Sequence, residues 1–165
     1  MKNQEPVRVR RALPGEGASA APTLLIVGPV EDDWGGDSVF DRFPWPALRV
    51  RNCLEAALHL RSSRPCVIVC ERNLPDGGWK DVLEVTASLP SPPPVVVTSR
   101  LADEYLWAEV LNLGGWDVLA KPLDEQEVSR TLILAWEHWA NRRNSAQRFK
   151  AAAVWKGDST RCMTA

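Results

Sequence analysis

Val67-Ile68-Val69-Cys70-Glu71-Arg72-Asn73-Leu74-Pro75-Asp76-Gly77-Gly78 is the stretch on which the fold turns. Its first four residues are uninterrupted apolar and largely β-branched, the pattern of a strand buried on both faces of a parallel sheet. Pro75-Asp76-Gly77 then breaks the run as a turn. Glu71 stands between the two, at the carboxyl end of the strand. Open α/β sheets place their functional crevice at that end, so this carboxylate is the first candidate for a functional group.

The same alternation repeats on both sides of this stretch. Upstream, Leu24-Leu25-Ile26-Val27 reads as a first strand and Leu48-Arg49-Val50 as a second. A short helix is expected over residues 38–43. Residues 53–61 have helical spacing, with Leu54, Ala57, Leu58 and Arg61 on the expected inner face. Downstream, a helix opening at Asp76 or Gly77 carries Trp79, Val82, Leu83 and Thr86 on one face. Pro90 and Pro92-Pro93-Pro94 form a stiff connector. Val95-Val96-Val97 is a fourth strand ending at Thr98-Ser99, and a helix over residues 102–113 stops at Gly114-Gly115. Asp117-Val118-Leu119-Ala120 is a fifth strand, followed by Lys121-Pro122. Asp124, with Glu127 three residues on, caps a last helix. Strands alternating with helices in this way predict a doubly wound α/β fold, a five-stranded parallel sheet in the flavodoxin-like order 2-1-3-4-5.

The 165 residues suit one domain with tails: a disordered lead over 1–22, a domain over 23–140, and a basic, partly helical tail over 141–165. Residues 23–136 carry 10 basic and 17 acidic side chains, whereas residues 137–165 carry 6 and 2. An acidic body with basic ends speaks against nucleic-acid binding by the body. Cys53, Cys66, Cys70 and Cys162 form no C-x-x-C pair, and His59 and His138 are far apart, so no zinc site is expected. No stretch reads as a secretory signal or a membrane span, which makes a cytoplasmic protein the expectation. Of the eight tryptophans, Trp79 and Trp107 are expected to pack on the sheet, and Trp136 and Trp139 to be neighbours on the last helix. Val128, Leu132, Ala135, Trp139 and Arg142 repeat at near-heptad spacing. Packing on the sheet accounts for the first of these. A self-pairing helix, hence a homodimer, stays open, and the part beyond about Ala140 is expected to be frayed or solvated.

Val69 to Gly78, Pro94 to Ser99 and Gly114 to Pro122 together resemble the receiver (CheY-like) domain of two-component response regulators. The resemblance spans about residues 23–140. It implies a site in which an acidic pair after the first strand holds Mg²⁺ and an aspartate after the third accepts a phosphoryl group. A Thr or Ser after the fourth strand and a Lys after the fifth then bind the phosphate. Ser99 matches the hydroxyl position and Lys121 the lysine. The phosphoacceptor position is Glu71, one methylene longer than the family's aspartate. The acidic-pair position reads Gly28-Pro29, with no carboxylate, and Glu31, Asp32 and Asp33 come two to four residues too late. The family's aromatic switch position is Val118, which cannot make the ring flip.

The resulting expectation is an atypical receiver-like module with Glu71 paired to Lys121. It needs no cofactor, binds Mg²⁺ weakly or not at all, is not an enzyme, and acts by protein–protein interaction. The resemblance implies a signalling partner, a histidine kinase or an output protein. Its contact surface would be the face of the fourth helix, fifth strand and last helix, including Tyr105, Glu109, Val118 and Asp124. Two other readings stand beside it: a working phosphoacceptor in a phosphorelay, and an unrelated flavodoxin-like enzyme or cofactor binder.

Overall fold

The computed structural model describes residues 22–29 and 38–158, and for 151–158 the backbone alone. The expected disordered lead, Glu31 to Asp33, Trp34 and Cys162 lie outside the described residues, as does the Trp155 side chain. The elements are β1 (Leu24–Val27), α1 (Val39–Arg42), β2 (Ala47–Val50), α2 (Cys53–Ser62), β3 (Val67–Glu71), β4 (Asn73–Leu74), β5 (Gly77–Gly78), α3 (Trp79–Ala87), β6 (Val95–Ser99), α4 (Glu104–Asn112), β7 (Asp117–Ala120) and α5 (Glu125–Asp158). Five strands form one parallel sheet in the order β2-β1-β3-β6-β7. Counted among themselves, those strands run 2-1-3-4-5, as the alternation predicts.

The three central strands are buried along almost their whole length, so their residues alternate between two apolar layers rather than between core and water. Leu25, Val27, Ile68, Cys70, Val95 and Val97 pack under α2, α3 and α4 through Ala56, Leu60, Trp79, Val82, Leu106 and Val110. Leu24, Ile26, Val67, Val69, Val96 and Leu119 pack on the other side under α1 and α5, through Phe40, Val128, Leu132, Ala135 and Trp139. The near-heptad stripe of α5 is therefore spent on the sheet up to Trp139.

Several expectations need correction. In α2 the inner face is Ala56 and Leu60. Leu54 is 65% and Leu58 54% exposed, Arg61 is exposed, and Ala57 is half-buried. Apolar residues Cys53, Leu54, Ala56, Ala57, Leu58 and Leu60 lie around more than one face of this helix, so periodicity alone does not choose a face. Trp107 is 51% exposed rather than packed on the sheet, and its Nε1 donates to Asp117 Oδ1 at 3.2 Å. One helical step from buried Leu106, it falls beside the sheet edge instead of on it. The turn after β3 does not pass straight into a helix. Asn73-Leu74 pairs antiparallel with Gly77-Gly78, and α3 begins at Trp79, with Gly78 N–H donating to Asp81 Oδ2 at 2.8 Å. Of the two alternatives expected for α5 beyond Ala140, the solvated one holds: the helix continues to Asp158, with residues 141–150 almost all exposed, rather than fraying.

The Pro-Asp-Gly turn is tied to α2. Asp76 accepts the backbone N–H of Cys53 (2.8 Å) and of Leu54 (3.0 Å), two donors that the first turn of a helix leaves unpaired. These bonds, led by that from Cys53, hold the Asp76 carboxyl below its ordinary value. A carboxyl whose value is depressed on folding contributes stability above its unfolded value, and that contribution fades as pH falls through the folded value. Asp76→Asn is therefore expected to melt below the parent at neutral pH, with the gap closing under about pH 4, where an unfolded aspartate takes up its proton. Melting curves across that range check this, and a gap independent of pH would remove the charge from the account.

Candidate functional site

Three strand ends meet at the carboxyl edge of the sheet. Glu71, the last residue of β3, is in register with Thr98 of β6, so both side chains leave the sheet on the same side. Thr98 Oγ1 donates to Glu71 Oε2 at 3.0 Å. Lys121 follows β7, its backbone N–H donating to Ser99 O at 2.9 Å, and its Nζ lies 2.5 Å from the same Glu71 Oε2. The Lys121 side chain is only 4% exposed and that of Glu71 16%. A short, nearly dry contact between opposite charges carries a large Coulomb term, offset by the desolvation of both groups.

The pairing of Glu71 with Lys121 expected from the sequence is thus present in the geometry. The hydroxyl at the site is that of Thr98 rather than Ser99: Ser99 is buried and its Oγ accepts the N–H of Leu101 at 3.1 Å. The signal that finds Thr98 is strand register: Glu71 opposes Thr98, whereas Ser99 opposes Ala120. Val118 sits in the core layer under α4.

Gly28 and Pro29 leave β1 beside this cluster. Val27 pairs with Cys70, so the next position, Gly28, runs alongside Glu71, and its N–H donates to Val50 O at 2.9 Å. Neither residue brings a carboxylate, and Glu71 already holds an ammonium. Mg²⁺ takes near-octahedral oxygen ligation with at least one carboxylate. Among the described residues no group of three His, Cys, Asp or Glu side chains is placed to hold a metal ion. The described donors do not fit Mg²⁺.

The thiols are quiet. Burial pushes Cys66 up to about 11 and Cys70 well above its ordinary value. Cys53 is raised to about 11 by burial and by neighbouring Asp76. At neutral pH these are thiols rather than nucleophilic thiolates. No helix of the described residues is long and apolar enough to cross a membrane.

At the β7 edge of the sheet, α4, β7 and α5 border a groove of about 480 Å³ lined by exposed Trp107 and Glu127 and reaching Asp117 and Val118, with exposed Tyr105 elsewhere on α4. Glu109 is half-buried and joined to Lys80 by a short ion pair, and Asp124 is engaged at the start of α5, accepting the N–H groups of Gln126 and Glu127.

No protein family and no curated protein matches this sequence. Solved structures do. The receiver domain of Francisella response regulator 1452 matches with 19% identity and a TM-score of 0.62, over 71% of this chain and 98% of that one. The signal receiver domain of an HD domain-containing protein from Pseudomonas fluorescens Pf-5 matches with 22% identity and a TM-score of 0.64, over 80% and 98%. The receiver domain of the sensor histidine kinase PA1611 from Pseudomonas aeruginosa PAO1, solved with a magnesium ion in its active-site cleft, matches with 18% identity and a TM-score of 0.60, over 68% and 95%. Likeness at this level of identity establishes the architecture: the chain is folded as a signal receiver domain, with Glu71 at the edge where its strands end.

Proposed function

We propose that this chain is a receiver-like signalling module that works by protein–protein interaction, without aspartyl phosphorylation and without Mg²⁺. The observation that carries the reading is the closure of Glu71 Oε2 by the Lys121 ammonium and the Thr98 hydroxyl, beside a β1 end that offers Gly28-Pro29 in place of carboxylates. Phosphoryl transfer to a carboxylate brings negative charge against negative charge, and a divalent ion ordinarily screens it. Among the described residues that task would fall to Lys121, which is already committed to Glu71. The ion pair holds in place the lysine that would otherwise wait for phosphate. The raised thiols and the absence of a nucleophile–base pair in the sequence favour a binding module over an enzyme.

The partner would be another signalling protein, a kinase or an output protein. It would dock on the α4–β7–α5 edge, where exposed Tyr105 and Trp107 supply the aromatic area that interfaces favour.

The test is the intact mass of the chain after incubation with acetyl phosphate and Mg²⁺, with Glu71→Asp and Glu71→Gln alongside. No phosphoryl adduct is expected on the parent. An adduct that disappears in Glu71→Gln would show a live phosphoacceptor and overturn the reading.

A further inference from the structure

The other end of the sheet holds a cavity of about 380 Å³ that the reading above does not use. It lies where β6 and β7 begin: Trp116 N–H donates to Val95 O at 2.7 Å, at the opposite end of β6 from Thr98. At the rise of a strand, that separates it from the Glu71 cluster by roughly 10 Å. The proline connector before β6, the Gly114 turn and one face of α5 enclose it. Gly114 has φ 93°, a left-handed conformation that glycine adopts without strain, and open space where a Cβ would stand.

Its walls are aromatic and its free polar groups are basic. The Trp139 indole is fixed by donation from Nε1 to Ser91 O at 3.4 Å and is covered on one face by the Arg143 guanidinium, 4.5 Å from the ring centroid. Trp116 lies against His138, ring centroids 4.9 Å apart and tilted by 42°. Thr86, which also lines the cavity, has its hydroxyl spent on Val82 O. Arg142 lines the cavity and, among the described residues, makes no ion pair or hydrogen bond. The lining contains no carboxylate.

We propose that this cavity is a binding site for a small aromatic carboxylate of one or two fused rings. Its volume falls in the range of small-molecule pockets, which are mostly apolar with a few polar groups that fix orientation. The ring would lie between the Trp116 and proline walls, and the carboxylate would meet Arg142, whose planar fork matches it bidentately. The inference is independent of how Glu71 is used.

The experiment is a titration of the full chain with 2-naphthoate, followed by ¹H–¹⁵N correlation spectra, with 2-naphthalenemethanol as the neutral probe of the same shape. Saturable shifts are expected at Gly114, Gly115 and the indole N–H groups of Trp116 and Trp139. Arg142 is exposed, so Arg142→Gln should fold normally. It is expected to weaken 2-naphthoate about tenfold, the loss of one charge-assisted contact, and to leave the alcohol unchanged. The proposal is overturned by absence of saturation up to about 1 mM, by shifts centred on Glu71 and Lys121, or by equal binding of acid and alcohol in parent and variant.

Discussion

Replacing Lys121 with methionine is expected to cost about 3 kcal/mol of folding stability, the low end for breaking a buried ion pair by removing one partner. The methionine fills much of the same volume, so the loss comes from Glu71, left with a hydroxyl and no cation in a nearly dry site. Water reaches the carboxylate at the sheet edge, which keeps the figure at the low end. For a domain of this size the melting temperature should fall by roughly 10 °C. The double variant Glu71→Gln/Lys121→Met should recover more than half of that, since it removes both charges and keeps an acceptor for Thr98. Denaturant unfolding of the parent, both single variants and the double variant measures the coupling directly. A Lys121→Met chain as stable as the parent would mean that the ammonium contributes nothing, and the closed site would lose its energetic basis.

Trp79→Ala should be more damaging still, at about 4 kcal/mol, in the range for truncating a buried aromatic side chain. Trp79 opens α3 directly after the β4–β5 turn and is buried in the layer beneath α2, α3 and α4. Its backbone N–H donates to Arg72 O at 3.2 Å, so the residue joins the end of β3, the turn and the core. Beyond the global loss, amide exchange should quicken first across residues 73–78, because Trp79 follows the turn directly and packs in the same core layer as Leu74, the turn's own buried side chain. Uniform quickening throughout the chain would show that the turn owes nothing special to this side chain.

The order of elements could be read in the sequence because each strand is a short apolar run bounded by Gly, Pro or a cap. The pairing of Glu71 with Lys121 could be read because the resemblance to receiver domains assigns both residues to one pocket at the carboxyl end of the sheet. Two kinds of fact could not. The first was the choice of helix face in α2: with apolar residues on more than one face, the sheet selects Ala56 and Leu60 and leaves Leu54 and Leu58 in water. The second was which of two adjacent hydroxyls meets Glu71. The motif match points to Ser99, but neighbours on a strand face opposite ways, and the register of β3 on β6 selects Thr98. Trp107 shows the same limit on α4. Its neighbours Leu106 and Val110 define the inner stripe, and its indole instead reaches Asp117 at the edge.

The length of α5 has a mechanical consequence. Its apolar stripe grips the sheet only as far as Trp139, yet the helix is continuous to Asp158. At the rise of an α-helix, the remainder is a stiff arm of roughly 28 Å projecting from the domain. A pivot of about 5° where α5 rests on β3 and β7 would sweep the tip by about 2.5 Å, by the same geometry. A repacking too small to notice within the sheet would thus become a displacement as large as a bond to whatever the arm touches. Arg142, Arg143, Arg148 and Lys150 would travel with it as fixed points of charge along a rod.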